Sequence, residues 1–377
     1  MDKAQLKRAL LSVINRYLHG TPLCDCEDWK TIYDLAKLHS LIGVFYLATK
    51  GTSLPEEVLR QAKDDFEVEV MQQTLQDYYA QVLFARFDEE GVAYMPMKGY
   101  HTRKLYPQPE ARSSCDLDVF YDEKDKEKVE EIFKTEGFAF VIENATHQEW
   151  HKDSSIVEMH YALVGQVPAF DEYYRGVWDR LVHVGGKQYG FTTEDEYIYF
   201  LVHAAKHFMN GGVGVRTVLD VYFYVKTLSF NEQCLQTELQ KLGLEQFAFQ
   251  LQNLASVWFE AGKENEDTEL LGDFVFSSGT YGTRQNLAAS VETSSVQKAK
   301  RKRLWLSIFP RYRDMKSWYP VVKKCPPLLP FVWVYRWFEV LFTRRGSFKK
   351  VARDVKGIDE RRLNSIKKIK EMTGLPF

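Results

Sequence analysis

The chain has 377 residues, 45% of them hydrophobic and 27% charged, with a formal net charge of −2 and five cysteines. That length supports two or three domains around a sizeable core. Five scattered cysteines, an odd number, give no sign of a disulfide framework or a zinc knuckle, and a reducing, cytoplasmic setting is the simplest expectation.

The first twenty residues read as an amphipathic helix rather than a secretory leader. Leu6, Leu10, Val13, Ile14 and Leu18 recur at helical spacing, as do Leu75, Tyr79, Val82, Leu83 and Phe87, so residues 1–90 are expected to be helical. Gly91 ends the last of these helices and Val92–Met95 reads as a short strand. A turn at Lys98-Gly99 follows, then a helical turn over Tyr100–Leu105 and a loop over Tyr106–Pro109. Residues 115–121 form the second strand. Glu123–Thr135 is expected as a helix with Val129, Ile132 and Phe133 inward, stopped by Gly137. Phe138–Glu143, His147–Lys152 and Ile156–Leu163 read as an antiparallel set of strands.

After Gly190 the pattern returns to helix. Thr193 and Glu196 form a predicted capping box for a helix over Glu194–Met209, which Asn210-Gly211-Gly212 ends. Further helices are expected over 216–228, 232–243, 246–261 and 266–275, and a flexible Gly/Ser/Thr-rich connection over 277–296. From Val296 onward there are 22 Lys and Arg against 6 Asp and Glu, whereas residues 1–295 hold 28 against 46. Packing of this basic tail on the acidic body is the expectation, with a nucleic-acid or membrane contact as the alternative. The basic run 298–303 reads as a solvated helix face. Leu328–Phe342 is too short for a bilayer, which needs ~20 apolar residues. It is expected as a buried docking helix, with a membrane-surface helix as the alternative.

The chemistry concentrates in Met97-Lys98-Gly99, Arg112 and Cys115-Asp116-Leu117-Asp118-Val119-Phe120. Side chains two apart on a strand point the same way, so Asp116 and Asp118 share a face that excludes Leu117. Two like charges in an apolar run are costly unless cations neutralise them, and oxygen ligands at that spacing suit Mg²⁺ with substrate phosphates. Glu158, in the strand-like Ile156-Val157-Glu158-Met159-His160, completes a triad if its strand lies beside the first. Arg112 is expected next to the acid pair, holding a phosphate. His203 and His207 stand four apart on one helix, a zinc-pair spacing without a convincing third ligand. His147, His151 and His160 carry little weight.

The order of strand, Lys-Gly, arginine, Asp-x-Asp in a strand and a later acid resembles the polymerase-β-like nucleotidyltransferase superfamily. More narrowly, it resembles the bacterial family described only as uncharacterised nucleotidyltransferases. Leu201–His207 with Arg216-x-x-x-Asp220 resembles that family's helical half, and Phe309–Pro320 with Leu328–Trp333 its C-terminal end, covering the chain from about residue 75. The resemblance implies that Asp116, Asp118 and Glu158 are catalytic and hold Mg²⁺ or Mn²⁺. It implies that Lys98, Gly99, Arg112, Lys206, His207 and Arg216 bind an NTP, with His160, His203 and Asp220 in the cleft. Tyr100 departs from the family's usual small hydroxyl residue after the glycine.

The expected fold is α+β: a small mixed or antiparallel sheet core over 76–165, an N-terminal helical segment over 1–75, a helical domain over 166–295 and a basic, aromatic-rich helical region over 296–377. The expected activity is metal-dependent transfer of a nucleoside monophosphate from an NTP to an acceptor hydroxyl, of a small molecule, sugar, protein or RNA. The competing expectations are an inactive nucleotide- or anion-binding module on the same fold and, third, a zinc hydrolase built on His203 and His207.

Overall fold

The computed structural model describes residues 1–165, 167–280, 282–283, 286–287, 296–343 and 360–375. Four helices open the chain: Lys3–His19, Trp29–Leu38, Ile42–Thr49 and the long Glu56–Glu90. Asp2 and Gln5 cap the first reciprocally. Gly91, at φ 71°, turns the chain out of the fourth, a conformation in which a side chain would be strained.

Seven strands form one mixed sheet. They are β1 Tyr94–Pro96, β2 Leu117–Tyr121, β3 Ala139–Glu143, β4 His147–Lys152, β5 Ser155–His160, β6 Val182–Gly185 and β7 Gln188–Gly190, in the order β3-β4-β5-β2-β1-β7-β6. β2 with β5, and β1 with β7, run parallel. The β3–β4–β5 set is antiparallel, as expected. The β6–β7 hairpin has no counterpart in the sequence reading: four and three residues are too few to show a period-two pattern. Residues 123–135 divide into a 3₁₀ turn and the helix Lys126–Thr135. That helix and the long N-terminal helix bury Leu83, Phe87, Val129 and Phe133 against Val119, Trp150, Val157 and Met159 of the sheet.

Helices Thr193–Met209, Val215–Thr227, Glu232–Leu242, Glu245–Phe259 and Glu266–Ser278 share a second core with the N-terminal helices. The predicted cap of the first is displaced by one residue. Thr192, in extended backbone, accepts the Asp195 N–H at 3.1 Å, so the Thr193–Glu196 box does not form. The expected connection over 277–296 begins as helix through Ser278, and Thr280 and Thr283 are bonded to Leu38 and Gly211. Much of the remainder lies outside the described residues.

The helix Glu360–Thr373 docks on the acidic body, with Lys368 Nζ 3.5 Å from both Glu266 and Asp267. The predicted C-terminal apolar helix spans Leu329–Thr343 but is not buried. Its inner face packs on residues 307–310, and its outer face is exposed. Among the described residues no helix is long and apolar enough to cross a membrane.

His39 links the two ends of the helical core. It is fully buried, accepts the Val215 N–H through Nδ1 at 3.2 Å and stacks on Phe276. Burial lowers its pKa to about 4. A buried imidazole that stays neutral binds fewer protons folded than unfolded, so stability is lost as pH falls below the unfolded value of about 6.5. Chemical denaturation at pH 7 and pH 5 should show about 2 kcal/mol of pH-dependent loss that His39→Gln removes.

Candidate active site

Period-two alternation divides the central strands between two environments. Leu117, Val119 and Tyr121 of β2, with Val157 and Met159 of β5, enter the core beneath the long helix. Asp118, Phe120, Glu158 and His160 therefore point to the opposite face, where Phe120 joins the helical core. The parallel register sets Asp118 against Glu158 and Phe120 against His160. Asp116 sits just before β2, which starts at Leu117 rather than at residue 115.

Carboxylate oxygens of Asp116, Asp118 and Glu158 all lie within 4.8 Å of one another. Asp118 is buried, and its Oδ1 accepts from Lys98 Nζ at 2.6 Å and from His160 Nε2 at 2.8 Å. His160 Nε2 also lies 3.1 Å from Glu158 Oε2, sharing its proton between the two acids. His147 Nε2 is 3.6 Å from the other Glu158 oxygen.

Burial works against all three carboxylates, and their neighbours decide the outcome. For Asp118, Lys98 and then His160 outweigh burial and hold the carboxyl well below its usual range. For Glu158, the His160 hydrogen bond together with the charges of His147 and His160 outweighs burial, so its pKa is also lowered. Asp116 is pushed up to about 6, by burial first and then by Asp118. Lys98 and His160 pull it down only in part, against burial and the two neighbouring acids. Three hard oxygen donors this close together fit a divalent cation of the Mg²⁺ or Mn²⁺ class.

The Lys98-Gly99 turn is built tightly. Lys98 adopts φ 50° and ψ −120°, a strained conformation for a residue with a side chain. Met97 N–H to Asp118 O at 2.9 Å ties the turn to β2. A Cβ on Gly99 would lie 2.3 Å from Ser114 Oγ and 3.2 Å from Arg112 Nη1. Gly99→Ala should therefore lower stability by about 1–3 kcal/mol. Adding Ser114→Gly should recover most of that loss in a thermal melt.

Arg112 is hydrogen-bonded to a carboxylate outside the acid triad. Its guanidinium forms a buried fork on Asp220, Nε to Oδ1 at 2.9 Å and Nη2 to Oδ2 at 3.1 Å. Tyr106 donates to the same carboxylate at 2.7 Å. Arg216 donates to Ser113 O at 3.3 Å. These two arginines brace the loop beneath Gly99, and the fork consumes the charges of Arg112 and Asp220.

Across from the sheet, helix Thr193–Met209 carries His203, Lys206 and His207. Lys206 Nζ donates to Val164 O at 2.6 Å, and burial followed by Lys98 lowers its pKa. His203 is lowered well below its ordinary value by burial and then by Lys98, and His207 falls to about 4 through burial and then Lys206. Lys98 acts on all three groups, and Asp118 on His203 and Lys206 as well. The two histidines approach each other, Nε2 to Nε2 at 2.9 Å. No third His, Cys, Asp or Glu among the described residues joins them in a metal-ligand group.

Of two further residues near the acids, the sequence reading gave His147 little weight and missed Ser114. His147 reaches Glu158 only because β4 pairs with β5. Ser114 Oγ donates to Asp116 O at 3.0 Å and fills the space beside Gly99. A hydroxyl two residues ahead of the first acid was the one available signal.

A model of a family described as "Uncharacterised nucleotidyltransferase" matches residues 25–260, more than half of the chain. The match begins well before residue 75 and stops short of Phe309–Trp333, so that segment is outside the matched span. No curated protein and no solved structure gave a match.

Proposed function

Because the chain belongs to this family of uncharacterised nucleotidyltransferases, we propose that it moves a nucleoside monophosphate from an NTP to an acceptor hydroxyl, releasing pyrophosphate. The observation that carries this reading is the parallel β2–β5 register, which sets Asp118 beside Glu158 and gathers Asp116 with them. Asp116, Asp118 and Glu158 would hold a divalent cation. When bound, such a cation neutralises triphosphate charge and acidifies the attacking hydroxyl.

The acceptor oxygen attacks the α-phosphorus, the bond to the bridging oxygen of the β-phosphate breaks, and pyrophosphate leaves with that electron pair. Glu158, kept ionised by His160, takes the hydroxyl proton. Lys98 moves its charge from Asp118 towards the triphosphate, and Lys206 supplies a second positive charge from the facing helix. Ser114 supplies beside Gly99 the small hydroxyl side chain that position 100 lacks, since Tyr100 is turned towards Phe84 with Lys104 over its ring.

One observation favours the second reading, a nucleotide-binding module without turnover. Lys98 Nζ and His160 Nε2 already occupy the same oxygen of Asp118. Calorimetry with each NTP, with and without Mn²⁺, together with a pyrophosphate-release assay over a panel of hydroxyl acceptors, separates the two. Metal-dependent binding with release supports transfer. Metal-independent binding without release supports the module.

A further inference from the structure

The helix Leu329–Thr343 has an inner face that is already satisfied. Trp333 Nε1 donates to Pro310 O at 3.0 Å, Trp337 Nε1 to Ile308 O at 2.7 Å and Arg336 Nη1 to Ser307 O at 3.1 Å. Val332 packs with Met315 and Val322. The opposite face repeats Phe331, Val334, Tyr335 and Phe338 at three- and four-residue spacing, which aligns them in one stripe, and Leu328 stands at the end of the 3₁₀ turn just ahead of it. All five are exposed, Phe331 at 72%, Tyr335 at 62% and Phe338 at 56%. Trp305 and Trp318 on the neighbouring helices are exposed as well. A contiguous apolar strip of this kind marks an interaction surface.

The surrounding charge selects the partner. Residues 296–377 carry 22 Lys and Arg against 6 Asp and Glu, and Arg301, Arg311, Lys316, Lys323 and Lys324 are exposed on the same run of helices. Two such faces brought together would set positive charge against positive charge. Nucleic-acid phosphates would meet the lysines but offer no apolar phase for Leu328, Val334 or Phe338. An anionic bilayer offers both: headgroup charge for the basic residues, and an acyl boundary for an aromatic and aliphatic stripe.

We propose that this face docks the protein onto anionic lipid membranes, with the helix Leu329–Thr343 lying in the plane of the headgroups and its stripe turned into the bilayer. The proposal is independent of the transfer reaction. The test is co-sedimentation of the full chain with vesicles of phosphatidylcholine alone and of phosphatidylcholine mixed with phosphatidylglycerol. The protein should pellet with the mixed vesicles and remain in solution with the neutral ones.

The triple substitution F331S/Y335S/F338S should lower partitioning at least about tenfold, because apolar burial is lost. K323Q/K324Q should lower it by roughly thirtyfold through two lost headgroup contacts. Because these side chains are exposed, circular dichroism and pyrophosphate release should not change. The proposal is overturned if mixed vesicles at low salt fail to pellet the protein, or if the triple variant pellets as well as the parent. It is also overturned if, instead of vesicle binding, the stripe proves to drive self-association in sedimentation velocity, or to capture an RNA oligonucleotide.

Discussion

Replacing Asp118 with asparagine should leave a folded protein and reduce pyrophosphate release by at least about a thousandfold. Asparagine has nearly the same shape and keeps an oxygen that accepts from Lys98 and His160, so the bonds at 2.6 and 2.8 Å have a surviving acceptor. What disappears is a full negative charge at the centre of the three-carboxylate group. Single-turnover assays with saturating NTP and Mn²⁺ measure the chemistry, calorimetry measures metal affinity, and a thermal melt checks the fold. Turnover within tenfold of the parent would remove Asp118 from the reaction. Asp116→Asn should weaken metal binding too, because it removes one of the three carboxylates gathered around the candidate cation position.

The largest loss of stability is expected from Asp220→Ala. Asp220 is buried, and it holds both arms of a buried guanidinium together with the Tyr106 hydroxyl. Removing it strands the Arg112 charge where water does not reach, at a cost of about 3–5 kcal/mol. Replacing both partners with apolar residues, Arg112→Met with Asp220→Leu, should return much of that stability, because the desolvation penalty of each charge vanishes with it. Denaturant titration of the single and double variants gives the coupling directly. The double variant also decides the role of Arg112. Stability recovered with turnover intact means a brace, and stability recovered with turnover lost means that its guanidinium also serves the substrate.

These two residues show where sequence reasoning stopped. Arg112 is four residues from Asp116, and proximity along the chain made the acid pair its natural partner. Its actual partner is 108 residues away. Nothing local could report this, because the choice depends on how helix Val215–Thr227 crosses the loop before β2. The acids themselves were readable. An Asp-x-Asp run between apolar residues fixes a shared side of the strand whatever the rest of the fold does, and Glu158 carried the same signature in its own strand. The C-terminal helix was legible as a helix but not in its burial. Periodicity reports that a stripe exists and is silent on what covers it.

By itself, then, the chain's own order of residues determined most of the helices and the first five strands, which side chains share a face, and that carboxylates and a lysine-glycine turn recur in an order associated with nucleotidyl transfer. These follow from backbone geometry, which repeats every 2 or about 3.6 residues. Only the tertiary structure decided that β5 lies parallel to β2 in the register that joins Glu158 to Asp118, that β4 brings His147 to the same acid, and that Lys98 closes on Asp118 while Arg112 turns to Asp220. Pairing register and helix crossing are settled by hydrogen bonds and packing between distant segments, and no local period encodes them.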